Sequence, residues 1–217
     1  MARILIACEE SQAVTKAFRE LGHEAYSCDL LPCSGGHPEW HFNEDVFEVI
    51  KREPTFDLMI AHPPCTYLAV SGARWLYNKD GSVNQDRLKN QIDGLDFVQR
   101  LMDADVERIV IENPISVISS QIRKPDQIVQ PWMFGDKANK STCLWLKNVP
   151  KLYSTDIVDK GEFFIFKDRK TGKDKKQPMW YYEALQKANT PAERRTLRSK
   201  TFQGMANAMA NQWGKLL

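Results

Sequence analysis

Asp57-Leu58-Met59-Ile60-Ala61-His62-Pro63-Pro64-Cys65 is the stretch on which the fold turns. Its apolar run reads as a buried strand, and His62-Pro63-Pro64 stops it. Downstream, Leu88, Ile92, Leu95, Val98 and Met102 form a helical stripe between Asp86 and Asp105. Arg108-Ile109-Val110-Ile111 then reads as a second strand, stopped by Glu112-Asn113-Pro114. Upstream, residues 3–8 (Arg-Ile-Leu-Ile-Ala-Cys) form a strand. Ala13, Val14, Ala17, Phe18 and Leu21 share one helical face, with Ser11 as the expected N-cap and Gly22 as the stop. Residues 24–30 form another strand, ending at Asp29 and Leu30. Strands alternating with helices imply a mostly parallel α/β sheet with helices on both faces. Ligands of such sheets bind beyond the carboxyl ends of the strands. Glu9, Glu10, Asp29, Cys65 and Glu112 should therefore meet on one edge.

Beyond Pro114 the pattern changes. Residues 142–146 and 162–166 read as strands, Asp168–Lys173 as a hairpin tip or loop, and 191–215 as helical, with Ala206, Met209, Ala210 and Trp213 on one face. The 217 residues suit one domain with a modest insertion. No apolar run approaches the ~18 residues that cross a bilayer. Residues 1–10 hold only about five apolar residues before two acids, so no signal peptide is expected. Five cysteines at irregular spacing point to reduced thiols in a cytosol-like compartment. The net charge is only +2, but residues 167–200 hold 11 Lys/Arg against 4 Asp/Glu. That +7 stretch, together with Lys215, leaves −6 on the first 166 residues. It reads either as a solvated surface or as a contact for a polyanion. Trp132, Trp145, Trp180, Tyr181 and Tyr182 lie among these basic residues. They read as base-stacking groups or as packing of a small core, with Trp180–Tyr182 the better stacking candidates.

The chemistry concentrates at the strand ends. Two prolines hold Cys65 rigidly, and a thiol at a strand end beside a helix start is expected to have a lowered pKa and to act as a nucleophile. Glu112, on the adjacent strand, would supply a carboxyl able to hold a proton. Asp29 stands where nucleotide-binding sheets place an acid for ribose hydroxyls. The first turn, Ala7-Cys8-Glu9-Glu10-Ser11, has no glycine, which disfavours a pyrophosphate but admits an adenosine cofactor. The helix N-terminus near Ser11 is then expected to be free for a carboxylate. Cys28, Cys33, His37 and His41 have zinc-like spacing, but Cys28 adjoins Asp29 on a strand, which argues against a metal site.

Ala61-His62-Pro63-Pro64-Cys65-Thr66-Tyr67-Leu68-Ala69 followed by Ile109-Val110-Ile111-Glu112-Asn113-Pro114 resembles the DNA cytosine carbon-5 methyltransferases. Phe42-Asn43-Glu44-Asp45-Val46 looks like that family's adenine-contacting motif, and Gln203-Gly204-Met205-Ala206-Asn207-Ala208 like its cofactor-closing segment. The similarity is strongest to short bacteriophage-type members. It implies a Rossmann-like S-adenosylmethionine-dependent methyltransferase fold with a small inserted recognition segment. The layout expected is a catalytic core at 1–118, a recognition segment at 119–200 that is basic at 167–200, and a C-terminal helix at 201–217 returning to the core. The resemblance implies that Cys65 adds to carbon 6 of a cytosine, flipped out if it lies in a duplex. Glu112 would protonate ring nitrogen 3, and carbon 5 would take the methyl group. Cofactor contacts are expected from Ala7, Glu9, Glu10, Ser11, Asp29, Leu30, Asp45, Val46, Pro63, Asn207 and Ala208. DNA is the expected partner, with no membrane, as a monomer or homodimer in the cytoplasm (a host's, if phage-encoded).

Three features depart from the family. Its Phe-x-Gly-x-Gly cofactor loop is replaced by residues 7–11. Its arginine motif has no clean match, which leaves Lys140 and Arg123 as candidates for the cytosine contact. Its large recognition domain is reduced, so specificity should be relaxed, short or supplied by a separate protein. A catalytically silent DNA-binding protein, and a methyltransferase acting on a free nucleotide or RNA, stay open beside the main reading.

Overall fold

Arg3–Ala7 (β1) and Leu58–Ala61 (β4) build the centre of the sheet because they are almost wholly apolar, and every residue of β4 is fully buried. The computed structural model describes residues 1–199 and 201–217, without the side chains of residues 191, 192 and 195. Lys200, the end of the expected basic segment, lies outside the described residues. β1 pairs in parallel with Glu24–Cys28 (β2) on one side and with β4 on the other. β2 pairs with His41–Phe42 (β3), and β4 with Arg108–Pro114 (β5), again in parallel. Thr142–Lys147 (β7) is antiparallel to β5 and to Gln127–Val129 (β6). The order β3-β2-β1-β4-β5-β7-β6 gives a mostly parallel seven-stranded sheet, the Rossmann-like architecture expected from the sequence, with β7 antiparallel to both its neighbours.

Successive strand residues point to opposite faces. Ile4, Ile6, Leu58, Ile60 and Val110 form one core, covered by Ala13–Glu20 (α1) and Gln203–Trp213 (α7). Leu5, Ala7, Met59, Ala61, Ile109 and Ile111 form the other, which includes Val46 and Val49 of Val46–Arg52 (α2) and Val98 and Leu101 of Gln85–Met102 (α3). At roughly 1.5–3 kcal/mol per fully buried large apolar side chain, these two layers dominate the stabilisation.

Several local expectations shift. The strand at 108–111 continues through Glu112, Asn113 and Pro114, since all three pair with β7. Ile92 is 56% exposed, and Leu101 takes its place in the core-facing stripe of α3. The C-terminal helical pattern divides into Pro191–Ser199 (α6) and α7. The expected boundary at 118/119 is displaced, because β6 and β7 complete the main sheet and the short Ile118–Gln121 helix (α4) leads into them. What stands apart is a two-stranded sheet, Phe163–Lys167 (β8) and Asp174–Pro178 (β9), followed by Met179–Lys187 (α5) and α6. Asp168–Lys173 is its turn, as expected.

Candidate active site

The β4–β5 register places Ala61 opposite Ile111, so the residues that follow leave the sheet together. His62 donates its backbone N–H to the Ala7 carbonyl (2.9 Å), which keeps the chain beside β1 for one more residue. Asn113 then donates its side-chain amide to the Pro63 carbonyl (2.8 Å). Past Cys65 the chain turns tightly, and Leu68 and Ala69 donate backbone N–H groups to the Cys65 carbonyl. Val117 N–H to the Leu68 carbonyl, and Val70 N–H to the Ile115 carbonyl, fasten this loop to the segment after β5. Leu68 is buried beneath α3, where Gly94 leaves room for it: a Cβ on Gly94 would stand 3.3 Å from a Leu68 methyl carbon. Cys65 and Glu112 are thus held at one edge by main-chain bonds and by the Asn113 amide.

Glu112 has a partner that the sequence reading missed. Its Oε2 lies 3.0 Å from Nδ1 of His62, and the two side chains are 13% and 11% exposed. Burial pushes the Glu112 carboxyl up, but the His62 hydrogen bond and charge, Lys140 and Thr142 outweigh it and hold it below its ordinary value. Burial lowers the His62 imidazole, but the Glu112 hydrogen bond and charge, with Glu9, raise it overall. Each group thus favours the charged form of the other, Glu112 as carboxylate and His62 as imidazolium. The Cys65 thiol also departs from expectation. Burial and the Glu112 charge raise its pKa, against the opposing pull of Lys140 and Arg198. A fixed turn supplies rigidity, but a half-buried thiol beside a carboxylate is still harder to ionise.

Lys140 and Arg198 both act on Cys65, one from the segment before β7 and the other from α6. Arg198 lies over the Tyr181 ring (4.7 Å), and its Nε is buried without a hydrogen-bond partner among the described residues. Arg123 is held elsewhere. It pairs with Asp126 (2.8 Å) and donates to the Leu146 carbonyl, at the level of Val110 in the sheet, so the cytosine contact expected of it is not supported. His62 was legible from register, since it follows the residue paired with the one before Glu112. Arg198 carried no sequence signal, because only the packing of α6 brings it in.

The first turn corrects a further expectation. Ser11 does not cap α1. Gln12, in left-handed backbone, precedes the first helical residue Ala13, and both carboxylate oxygens of buried Glu9 accept from N–H groups of the first turn. Glu9 accepts from Val14 N–H (2.7 Å), Thr15 N–H (3.2 Å) and the Thr15 hydroxyl (2.7 Å). The helix N-terminus is thus occupied by the chain's own carboxylate. Residues 33–37 lie across this turn. Ser34 donates to the Glu10 carbonyl, and the Gln12 side chain bonds Ser27, His37 and Cys33. Gly35 is needed there, since any Cβ would collide with Gln12.

The rest of the cofactor set divides. Cys8, Asp29, Cys28 and Asp45 gather at the ends of β1, β2 and β3, where burial and the two acids push the Cys8 thiol up and Cys28 to about 12. Asp29 binds the Leu31 amide through one oxygen, leaving the other for a ribose hydroxyl, and Leu30 is exposed beside it. Asp45 caps α2 through Phe47 N–H, and Val46 is buried. Ala7 and Pro63 are buried at the ends of their strands. Ala208 packs in the α7 core, and exposed Asn207 accepts from Gln203. This edge fits the adenosine part of S-adenosylmethionine through Asp29, whereas the α1 N-terminus is closed to the carboxylate of its amino-acid part. Cys28, Cys33, His37 and His41 have separate partners (Glu44, Gln12, Glu39 and Ser27), and no metal-holding cluster occurs among the described residues.

In the basic unit the aromatics mostly pack. Trp180 donates to the Asn139 carbonyl and meets Phe202 edge-on, and Tyr182 stacks on Phe164 at 3.8 Å. Trp145 is buried and donates to the Arg123 carbonyl, while Trp132 lies under Lys160. The base-stacking expected of Trp180–Tyr182 gives way to these contacts. Among the described residues no helix is long and apolar enough to cross a membrane.

No protein-family model and no curated protein matches the chain. Solved structures do. One is a putative DNA modification methyltransferase encoded within an E. coli prophage (13% identity, TM-score 0.42, 85% of this chain and 64% of that one). Another is a Spodoptera frugiperda DNMT2 variant (17% identity, TM-score 0.42, 74% of this chain and 55% of that one). The chain thus spans less than two thirds of either length. At this level of superposition, the functional reading rests on the chain's own residues.

Proposed function

We propose that the protein is a methyltransferase that modifies carbon 5 of cytosine in DNA through a covalent adduct at Cys65. The observation that supports this is the fixed Cys65 turn beside Glu112, with Lys140 and Arg198 acting on the same thiol. In this reading Cys65 Sγ bonds to carbon 6 of the ring while Glu112 passes a proton to ring nitrogen 3, which makes carbon 5 nucleophilic. Lys140 and Arg198 favour the thiolate as the base displaces water. S-Adenosylmethionine would supply the methyl group, with Asp29, Leu30, Ala7 and Pro63 holding its nucleoside. Loss of the carbon-5 proton to a base then releases the Cys65 thiolate. The basic unit at 162–199 would meet the phosphates.

Nucleoside mass spectrometry tests this after expression in a methylation-free host, with Cys65→Ala as control. 5-Methylcytosine should appear in DNA from the wild type only. Unmodified cytosine in both samples overturns the reading, and 5-methylcytosine confined to RNA moves the substrate. A second reading, a DNA-binding protein without methyl transfer, is favoured by the closure of the α1 N-terminus by Glu9. Calorimetry with S-adenosylmethionine separates the two, because the enzyme requires binding.

A further inference from the structure

His62 lies in the middle of the candidate site yet has no part in the scheme above. Its ring is 11% exposed, its Nδ1 meets Glu112 at 3.0 Å, and its Nε2 is buried with no hydrogen-bond partner among the described residues. The backbone bond to Ala7 leaves the ring little freedom. A buried imidazole with one nitrogen on a carboxylate is held in one orientation, and the carboxylate is oriented in return.

We propose that His62 is the proton store for Glu112: it carries, as imidazolium, the proton that Glu112 delivers, and it orients the carboxylate toward the ring. This deepens the proposed function and rests on it. As the bond from Cys65 Sγ to carbon 6 forms, the Nδ1–H bond of His62 breaks and the proton moves to Glu112 Oε2. From there it forms the N–H bond at ring nitrogen 3, and the electron pair of the carbon 5–carbon 6 bond shifts toward carbon 4. His62 is left neutral and Glu112 ionised. When the Cys65–carbon 6 bond breaks, the proton returns by the same path. The Cys65 thiol proton leaves to water. His62 is a positioning and proton-holding residue and makes no bond to substrate.

The charges around His62 agree with this role. Glu112 on β5 and Glu9 from the β1–α1 turn favour the imidazolium, whereas Lys140, from the segment before β7, opposes it. Cys65 lies three residues on in the same loop, and Lys140 and Arg198 favour its anion. Without Glu112, burial and Lys140 would oppose the imidazolium and Glu9 alone would favour it, so the pair holds the proton as a unit.

The test has two readouts on the full chain. Nitrogen-15 NMR of the imidazoles, with His62 assigned by through-bond correlation to its own backbone, should show it titrating above 6.5, and lower by about one unit or more in Glu112→Gln. Methyl-transfer kcat/KM of the wild type should fall as pH rises through that His62 value. His62→Gln should lose this falling limb and be roughly 10- to 100-fold slower below it. A structural role alone would lower the rate equally at every pH. A His62 that stays neutral, or whose titration ignores Glu112→Gln, overturns the inference, as does an unchanged pH profile in His62→Gln. If the wild type transfers no methyl group, the functional reading fails while NMR still decides where the pair keeps its proton. The NMR comparison uses the wild type and Glu112→Gln, so it stands if His62→Gln folds poorly.

Discussion

Two stretches of the sheet's carboxyl-terminal edge make opposite use of their polar groups. At the end of β1, the Glu9 oxygens and the Gln12 amide are bonded to neighbouring groups of the chain. At the ends of β4 and β5, His62 Nε2, Asn113 Oδ1 and Ser116 Oγ are buried without partners among the described residues. Such groups cost about 1–3 kcal/mol each where they stay unpaired, so this stretch keeps hydrogen-bonding capacity that the end of β1 has already used. The difference teaches that position beyond a strand end marks a ligand site only where the chain leaves capacity there. Glu9, an attractive cofactor residue by position, is a helix cap; His62, unremarkable by position, pairs with Glu112 beside the candidate nucleophile.

The largest expected effect separates the two stretches outright. Cys65→Ala should reduce methyl transfer to background while shifting the urea midpoint hardly at all, since Cys65 is half-buried and its turn is held by main-chain bonds that the substitution keeps. Glu9→Ala should do the reverse and lower stability by about 3 kcal/mol, because two helix N–H groups and a buried hydroxyl lose their acceptor. Urea unfolding checks both. A Glu9→Ala protein as stable as the wild type would break the comparison. If that variant also bound S-adenosylmethionine more tightly in calorimetry, Glu9 alone would be what closes the turn.

A smaller effect is expected from pH. Glu112 is depressed below 4.5, so its contribution to stability is full above that pH and lost as pH falls through the folded value. His62 is raised above 6.5, so its contribution is full below that pH and lost as pH rises through the folded value. The pair should stabilise most between 4.5 and 6.5. The difference in urea midpoint between the wild type and the His62→Gln/Glu112→Gln double variant should peak in that window. A difference that stays flat from about pH 3 to about pH 9 would mean that the two groups are not ionised together.

Much of this architecture was legible because hydrophobic pattern and register are local. β1, β4 and β5 announce themselves as apolar runs, and the parallel order follows from the helices between them. The pairing of Cys65 with Glu112 on one edge follows from the same logic. Ionisation was not legible, since it depends on burial and on partners across the sheet: the Cys65 thiol is pushed up rather than down, and His62 and Glu112 favour each other's charged forms. The places of Arg198 and Arg123 were hidden for a similar reason. Both are arginines in polar stretches, and only tertiary packing brings one near Cys65 and ties the other to Asp126.

The smallest effect tests whether the basic hairpin extends the open edge toward DNA or is surface alone. Lys173, Lys175 and Lys176 are exposed, but they are not equivalent. Lys175 pairs with Asp168 across the turn, and Lys176 lies over the Phe163 ring at 4.9 Å. Part of their charge is therefore already engaged, whereas Lys173 makes no such side-chain pair. Charge reversal at all three (K173E, K175E, K176E) should weaken DNA binding while leaving S-adenosylmethionine affinity intact. Each lysine that meets a phosphate contributes about 0.9 to the slope of log affinity against log salt. The triple variant should thus flatten that slope by about 1 to 3. K175E also sets a carboxylate against Asp168 and opens the turn, so Lys175→Gln beside K173E supplies the control. A salt slope unchanged in every variant would return the hairpin to plain solvated surface and confine nucleic-acid contact to the Cys65 edge.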